Sequence, residues 1–204
     1  MKLALLLAAA FAGAVQAPAD RDRPSTTPEA RAAIHAFGGC VARRSPELAA
    51  ATLARDFTTR AYRSNLRNLA RANESCFRER GVMRTEGLPL AGAIAEALLA
   101  ADAAPLNARL ARAALGPATP ARSASDGIAI CIVRSAPDEV ARLFASEVAS
   151  DREAAALAPI APLVSACNST GQALEATPAG LRAMLATAAY RSLRDAASSA
   201  GAGN

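Results

Sequence analysis

Two stretches of sequence determine the predicted fold: residues 37–47, FGGCVARRSPE, and residues 128–138, IAICIVRSAPD. Each stretch places an arginine three residues after a cysteine and a proline three residues after the arginine. A second cysteine follows 36 residues after the first in both cases, so the two segments recur at an offset of 91 residues without a gap. Because cysteine, proline and large apolar residues fall in one register, the pattern predicts an internal duplication.

Each half is predicted to form the same series of helices. Thr27-Pro28-Glu29 and Ser45-Pro46-Glu47 have the capping residue, proline and first-turn acid that are typical of helix starts. A third helix is predicted because Tyr62, Leu66, Leu69 and Cys76 fall within about 80° of helical arc. A fourth helix follows in each half, with inward-facing residues Leu90, Ile94 and Leu98 in the first and Leu181, Leu185 and Ala189 in the second.

The predicted fold class is all-α, a tandem duplication of a three- to four-helix unit, with one disulfide stapling each unit. Ile128 to Val133 is interpreted as helix because its counterpart in the first half has a helical pattern. Pro159 and Pro162 are expected to interrupt the third helix of the second half, since proline lacks the amide hydrogen and clashes with the preceding turn.

The chain begins with a predicted signal peptide. Lys2 supplies the positive charge, Leu3 to Val15 is apolar, and Ala17-Pro18-Ala19 offers a cleavage site. No later stretch is long and apolar enough to predict a transmembrane helix. The predicted organisation is a signal peptide at 1–19, helical repeat 1 at 27–100, a connecting segment and linker at 101–126, helical repeat 2 at 127–197 and a flexible tail at 198–204.

The composition limits the available chemistry. Alanine accounts for 57 of the 204 residues, and the 23 basic residues are 22 arginines and the single Lys2. Removal of the signal peptide would leave no lysine, which excludes a Schiff base or a phosphate-loop lysine. His35 is the only histidine, and aromatic residues make up 3% of the chain.

The four cysteines, Cys40, Cys76, Cys131 and Cys167, are interpreted as disulfides because the chain is predicted to be exported. Three pairings are possible, and the duplication favours Cys40–Cys76 and Cys131–Cys167. A bridge closing a loop of that size stabilises the fold by about 3.8 kcal/mol on the chain-entropy model. Such bridges would compensate for the small area that alanine buries. A zinc site is disfavoured because the sequence lacks a CxxC pair.

No residue is predicted to be catalytic, cofactor-binding or metal-binding. His35 and Cys40 would lie about 140° apart on a helix, and a half-buried or surface histidine is the simpler interpretation. Glu147 and Asp151 suit a solvated helix face next to arginines. The sequence contains no nucleophile elbow, phosphate loop, HExxH or EF-hand pattern.

One surface stands out, a row of arginines on the predicted third helix of the first half. Its members are Arg60, Arg63, Arg67, Arg71 and Arg78, which fall within about 80° of arc opposite the apolar face. The aligned positions of the second half lack arginine, so the fold does not require the row. It predicts contact with anionic lipid, polysaccharide or an acidic protein surface. A solvated face in an arginine-rich chain is the alternative, and nucleic acid is disfavoured because aromatic residues do not interleave with the arginines.

A resemblance follows from the pattern Phe37-x-x-Cys40-Val41-x-Arg43-x-x-Pro46 and from its second copy, Ile128 to Pro137. With Leu157-Ala158-Pro159 and Gly180-Leu181-Arg182 later in the chain, it resembles uncharacterised small exported proteins of GC-rich Gram-negative bacteria. The first half lacks the two later segments. The resemblance implies an architecture and an exported, periplasmic location, and it implies no activity and no site residue.

We therefore expect a non-catalytic exported protein with a binding or structural role. The alternative is a periplasmic hydrolase whose site uses only carboxylates and arginines. A third possibility is an apolar ligand held between the two repeats.

Overall fold

The computed structural model describes residues 27–77, 87–169, 171 and 174–201. All regular secondary structure in these residues is helical. A 3₁₀ turn lies at Glu74–Cys76. The helices are α1 (Pro28–Arg44), α2 (Pro46–Leu53), α3 (Arg60–Ala72), α4 (Gly87–Ala100), α5 (Leu106–Ala114), α6 (Ala124–Ser135), α7 (Pro137–Ala145), α8 (Asp151–Leu157), α9 (Ala161–Ala166) and α10 (Pro178–Gly201).

Side-chain caps start several of these helices. The Thr27 hydroxyl accepts a hydrogen bond from the Ala30 amide at the start of α1, and Thr59 does the same for Tyr62 at the start of α3. Ser123 and Ser150 cap α6 and α8 in the same way. Each cap satisfies an amide that has no partner within its own helix, so the sequence sets these boundaries locally.

Helices α4 and α10 form the centre of the molecule. Helix α1 packs on α4, α4 packs on α10, and α10 packs on α6. The backbones approach closely at Gly92, where an added Cβ would lie 2.6 Å from the Cα of Ala183. Gly38 lies at the crossing of α1 and α4, where an added Cβ would lie 2.5 Å from the Cβ of Ala93. Small residues therefore allow this chain to bury backbone against backbone.

The buried apolar residues form two clusters, one drawn mainly from each half. Val41 and Ile94 are fully buried in the first, and Ile132, Val140 and Leu185 are fully buried in the second. The partly buried Phe144 and Tyr190 pack against both clusters, so the two halves share a continuous apolar interior.

Two disulfides, Cys40–Cys76 and Cys131–Cys167, tie the first helix of each half to the segment that carries the second cysteine. This is the pairing predicted from the sequence. Each bridge spans 36 residues. No cysteine is free.

The third helix of the first half is shorter than predicted. Helix α3 ends at Ala72, and Cys76 reaches the core from the 3₁₀ turn. Asn73 accounts for the end, because its buried side-chain amide donates to the Leu69 carbonyl. The Ser45 hydroxyl donates to the Asn73 side-chain oxygen, which fixes the turn against the start of α2.

The second half agrees with the helical interpretation of Ile128 to Val133, which lie within α6. Helix α8 ends at Leu157 and α9 begins at Ala161, so the helix breaks next to Pro159 as expected. Helix α10 continues to Gly201, past position 197 where the sequence pattern placed the end of the repeat.

The predicted signal peptide at 1–19 lies outside the described residues. None of the helices that the structure describes is both long enough and apolar enough to cross a membrane.

Candidate functional site

The predicted arginine row forms one exposed face of α3, which we call the arginine face. Arg60, Arg63, Arg67 and Arg71 are all exposed, and Tyr62, Leu66 and Leu69 on the opposite side are buried. Within the described part of the chain, no carboxylate forms an ion pair with any of these four arginines. The fifth predicted member, Arg78, lies outside the described residues. Four exposed arginines therefore share one face of α3, with no carboxylate of the described residues paired to them.

Other charged side chains converge in the interior between the two halves, and we call this group the buried ion cluster. Arg182 on α10 donates to both oxygens of Glu96 on α4, from Nε to Oε1 at 2.8 Å and from Nη2 to Oε2 at 2.7 Å. The Nη1 of Arg182 also donates to Oε1 of Glu153 on α8, at 3.2 Å. Arg182, Glu96 and Glu153 are 3%, 8% and 2% exposed, so these charges are removed from water.

Helix α1 completes the buried ion cluster. The Nη2 of Arg31 donates to both oxygens of Glu153, at 2.7 and 2.6 Å. His35 Nε2 lies 3.1 Å from Oε2 of Glu96. The Ala149 amide also donates to Glu153, and Ala149 has a left-handed backbone with φ of 64°. Each buried carboxylate thus receives several hydrogen bonds, which is what makes its burial tolerable.

The environment keeps Glu96 ionised. Burial alone would raise the pKa of the Glu96 carboxyl, but the hydrogen bonds and charges of Arg182 and His35 outweigh it and lower the pKa below the ordinary 4.5. A general acid needs the opposite shift, towards neutral pH. The cluster therefore has the chemistry of a structural ion network that joins α1, α4, α8 and α10.

A second group of charges lies on the other side of α10. The Nη1 of Arg191 donates to both oxygens of Asp126 on α6, at 2.7 and 2.8 Å, and its Nη2 donates to the Pro120 carbonyl. The guanidinium groups of Arg191 and Arg122 lie 5.8 and 5.9 Å from the centre of the Phe57 ring. Phe57 belongs to the first half, so this ring contact also joins the halves.

Tyr62 lies close to this second group. Its side chain is 7% exposed, and burial raises the pKa of Tyr62 to about 12 even though Arg122 and Arg191 lower it. The phenol is therefore protonated at neutral pH and remains a hydrogen-bond donor.

Several carboxylates that border cavities of the structure are paired with arginines, among them Asp102 with Arg109 and Asp195 with Arg194. Glu153 lines a cavity of about 480 Å³ beside α8 and is paired with Arg31 and Arg182. Asp126 lines another cavity and is paired with Arg191. No group of three or more side chains suited to hold a metal ion occurs in the residues that the structure describes.

The sequence pattern did not reveal the buried ion cluster. Glu96 is the only charged residue of α4, in the apolar run from Leu88 to Ala100. A single acidic residue in an apolar run needs a partner when the helix is buried. Glu96 was therefore the indication in the sequence that a buried ion pair exists. Its partner Arg182 follows Gly180-Leu181 in the second half, and a separation of 86 residues gives no indication in the sequence that the two side chains meet.

No protein-family model, curated protein or solved structure matches this chain. Its function is therefore inferred from its own side chains.

Proposed function

We propose that this protein is an exported, non-catalytic binding module that engages an anionic surface through the arginine face of α3. The observation that carries the proposal is the row of four exposed arginines, Arg60, Arg63, Arg67 and Arg71, without a carboxylate partner in the described residues. Side-chain ion pairs elsewhere neutralise several arginines, among them Arg109, Arg142 and Arg194. Helix α3 instead concentrates four exposed arginines that no ion pair among the described residues neutralises.

The geometry of the arginine face suits binding to an extended anionic surface better than binding of a single ion in a pocket. From Arg60 to Arg71 the row extends about 16 Å, at about 1.5 Å per residue. The exposed large apolar side chains, Leu48, Leu88 and Leu115, lie on other elements. The arginine face would therefore bind anionic headgroups or an acidic polymer at its surface, without inserting a large apolar side chain. Each arginine near an anionic lipid surface contributes about 1 kcal/mol, which salt reduces.

The proposed location is the periplasm or the extracellular space. Disulfides persist in oxidising compartments, and both predicted bridges are formed. The predicted signal peptide agrees with that location.

We also propose that the chain arose by tandem duplication. Two pairs of helices begin 91 residues apart, α2 and α7 at Pro46 and Pro137, and α3 and α8 at Arg60 and Asp151. The residue before α2 has φ and ψ of −137° and 56°, and the residue before α7 has −137° and 57°. In the second half the positions of the arginine face hold Asp151, Ala154, Ala158 and Pro162. Because the second half keeps the helical pattern without these arginines, the fold does not require them. This supports a function for the arginines of the first half.

Vesicle binding tests the proposal. The protein is mixed with phosphatidylcholine vesicles that contain or lack phosphatidylglycerol, and bound protein is measured by sedimentation at several salt concentrations. We expect binding only to the anionic vesicles, with an affinity that falls as salt rises. The triple variant of Arg60, Arg67 and Arg71 to Ala should bind at least about tenfold more weakly, since three contacts of about 1 kcal/mol are lost.

A charge-matched variant controls for net charge. Arg112, Arg142 and Arg152 are also exposed, lie on α5, α7 and α8, and are changed to Ala together. This variant should retain most of the binding. Equal losses of vesicle affinity in both variants would show that only the net charge matters. That result would refute specific binding by the arginine face. A parallel measurement with an acidic polysaccharide and an acidic polypeptide identifies the class of partner, and binding to none of the three would also refute the proposal.

A further inference from the structure

The exposed surface of α3 holds neutral polar side chains beside the arginines. Ser64 follows Arg63 in the chain, Asn68 follows Arg67, and both Ser64 and Asn68 are exposed. At 3.6 residues per turn they fall about 20° and about 60° around the helix from Arg71, so they lie along one edge of the arginine face. Neither side chain forms a hydrogen bond with any residue that the structure describes. Their hydrogen-bonding groups are therefore available to a partner that covers the arginine face.

The second half lacks these neutral groups together with the arginines. At the offset of 91 residues, Ala155 takes the place of Ser64 and Pro159 takes the place of Asn68, and both are exposed. The side chains of alanine and proline form no hydrogen bonds. The arginines and the neutral polar groups thus occur together in one half, and both are absent from the aligned positions of the other.

The combination of side chains matches a ligand that carries carboxylates and hydroxyls on one polymer. A guanidinium group donates paired hydrogen bonds to a carboxylate. The serine hydroxyl and the asparagine amide both donate and accept hydrogen bonds, as the hydroxyls of a sugar also do. A polyanion without hydroxyl groups would engage the arginines alone, so Ser64 and Asn68 favour a carbohydrate.

The shape of the arginine face favours one extended polymer chain over a membrane plane. Its four arginines fall within about 80° of helical arc and extend along the axis for about 16 Å, so they form a single narrow row. The exposed carboxylate of Glu74 follows in the 3₁₀ turn. We therefore expect the polymer to contact the four arginines and not to continue past that turn.

We propose that the partner of the arginine face is a linear acidic polysaccharide that carries carboxylates on its sugar units. The proposal rests on the proposed function of this face and names the class of its partner. The carboxylates of the polymer pair with the arginines, and the sugar hydroxyls exchange hydrogen bonds with Ser64 and Asn68.

Three probes separate the contributions of charge, hydroxyl groups and shape. Polygalacturonate is linear and has carboxylates and hydroxyls, polyglutamate is linear and has carboxylates without hydroxyls, and vesicles with phosphatidylglycerol present a plane of charge. Calorimetry gives the affinity for the polymers and sedimentation the affinity for vesicles, at one salt concentration and per mole of negative charge. We expect polygalacturonate to bind about tenfold more tightly than polyglutamate, because hydrogen bonds to Ser64 and Asn68 are added, and more tightly than the vesicles.

The double variant Ser64→Ala with Asn68→Ala tests the hydroxyl contacts. It should weaken binding of polygalacturonate about fivefold to tenfold and leave binding of polyglutamate unchanged, because the charge of the protein is unchanged. The fold should persist, since both side chains are exposed without a partner in the described residues and alanine favours a helix. Ser165→Ala, an exposed position of α9, is the control and should bind all probes like the unmodified protein.

Chain length tests the linear row. Galacturonate monomer should bind far more weakly than polygalacturonate, because contacts after the first become intramolecular on a polymer. Monomer that binds as tightly per sugar unit as the polymer would contradict an extended partner.

Two further results would overturn the proposal and leave the proposed function standing. The first is an affinity for polyglutamate or for the anionic vesicles that equals or exceeds that for polygalacturonate, with loss of this binding in the triple variant of Arg60, Arg67 and Arg71 to Ala. The second is unchanged affinity for polygalacturonate in the double variant of Ser64 and Asn68. Binding to none of the probes, or polygalacturonate binding that the triple variant retains in full, would refute both proposals.

Discussion

Arg182 and Glu96 form a two-point ion pair in the interior, with nitrogen to oxygen distances of 2.8 and 2.7 Å between helices from opposite halves of the chain. The same guanidinium group reaches Glu153, so a single arginine serves two buried carboxylates. The partners are 86 residues apart in sequence. The pair therefore makes the packing of α4 on α10 specific in a way that alanine and leucine contacts cannot.

Arg182→Met should destabilise the protein by about 3–5 kcal/mol, because it leaves two carboxylates buried beside a side chain that cannot donate to them. Urea unfolding measures the loss. Arg142→Met is the control, since Arg142 is 62% exposed in a surface pair with Glu139 and should cost less than about 1 kcal/mol. Similar losses for the two variants would contradict a special role for the buried ion cluster.

Stability should fall in acid partly through Glu96. The pKa of Glu96 in the folded protein lies below its ordinary value of 4.5, so the unfolded chain binds the proton more tightly than the folded protein does. The contribution of Glu96 to stability is therefore fully present above that value and is lost as the pH falls through the lower, folded pKa. Arg182 and His35 face this carboxyl directly, and Glu153 faces it across Arg182.

The Glu96→Gln variant isolates this effect. We expect its stability deficit relative to the unmodified protein to shrink as the pH falls from 4.5 through the lower pKa of folded Glu96, because both side chains are uncharged below that pKa. Urea midpoints across a pH series give the deficit. A deficit that is independent of pH would mean that the charge of Glu96 does not contribute.

Two adjacent glycines of α1 should respond in opposite directions to alanine. Gly38→Ala would place a Cβ 2.5 Å from the Cβ of Ala93 and 3.0 Å from its backbone carbon, so α1 would have to move away from α4. We expect a loss of about 1–3 kcal/mol. Gly39→Ala meets only the mobile end of Arg43, at 3.3 Å, and should gain about 0.5–1 kcal/mol from helix propensity. Thermal unfolding of the two variants provides the comparison, and equal effects would argue against a close crossing.

Loss of either disulfide should destabilise the protein by a similar amount. Both bridges close loops of 36 residues, for which the chain-entropy model gives about 3.8 kcal/mol. The variants are Cys40→Ser with Cys76→Ser and Cys131→Ser with Cys167→Ser, compared by urea unfolding without reductant. Peptide mapping of the unmodified protein should find only bridges within each half, and a Cys40–Cys131 peptide would refute the pairing.

The helices and bridges were predictable because their determinants are local or periodic. Thr27 caps α1 as its position before Pro28 indicated, and the arginine row follows from the helical period of α3. The end of α3 was not predictable from the same period. A contact between Asn73 and Ser45, 28 residues apart, holds the turn there, and a window along one helix does not include it.

The sequence by itself determined the helical class, the disulfide pairing and the arginines on one side of α3, because spacing along the chain carries that information. Only the tertiary structure decided which charges are buried together and where a cavity lies. Glu96 meets Arg182 at the crossing of α4 and α10, and residues of α2, α3, α6 and α10 line one cavity. Such contacts depend on how closely two helices approach, and here the helices approach closely because Gly92 has no side chain and Ala183 has only a methyl group.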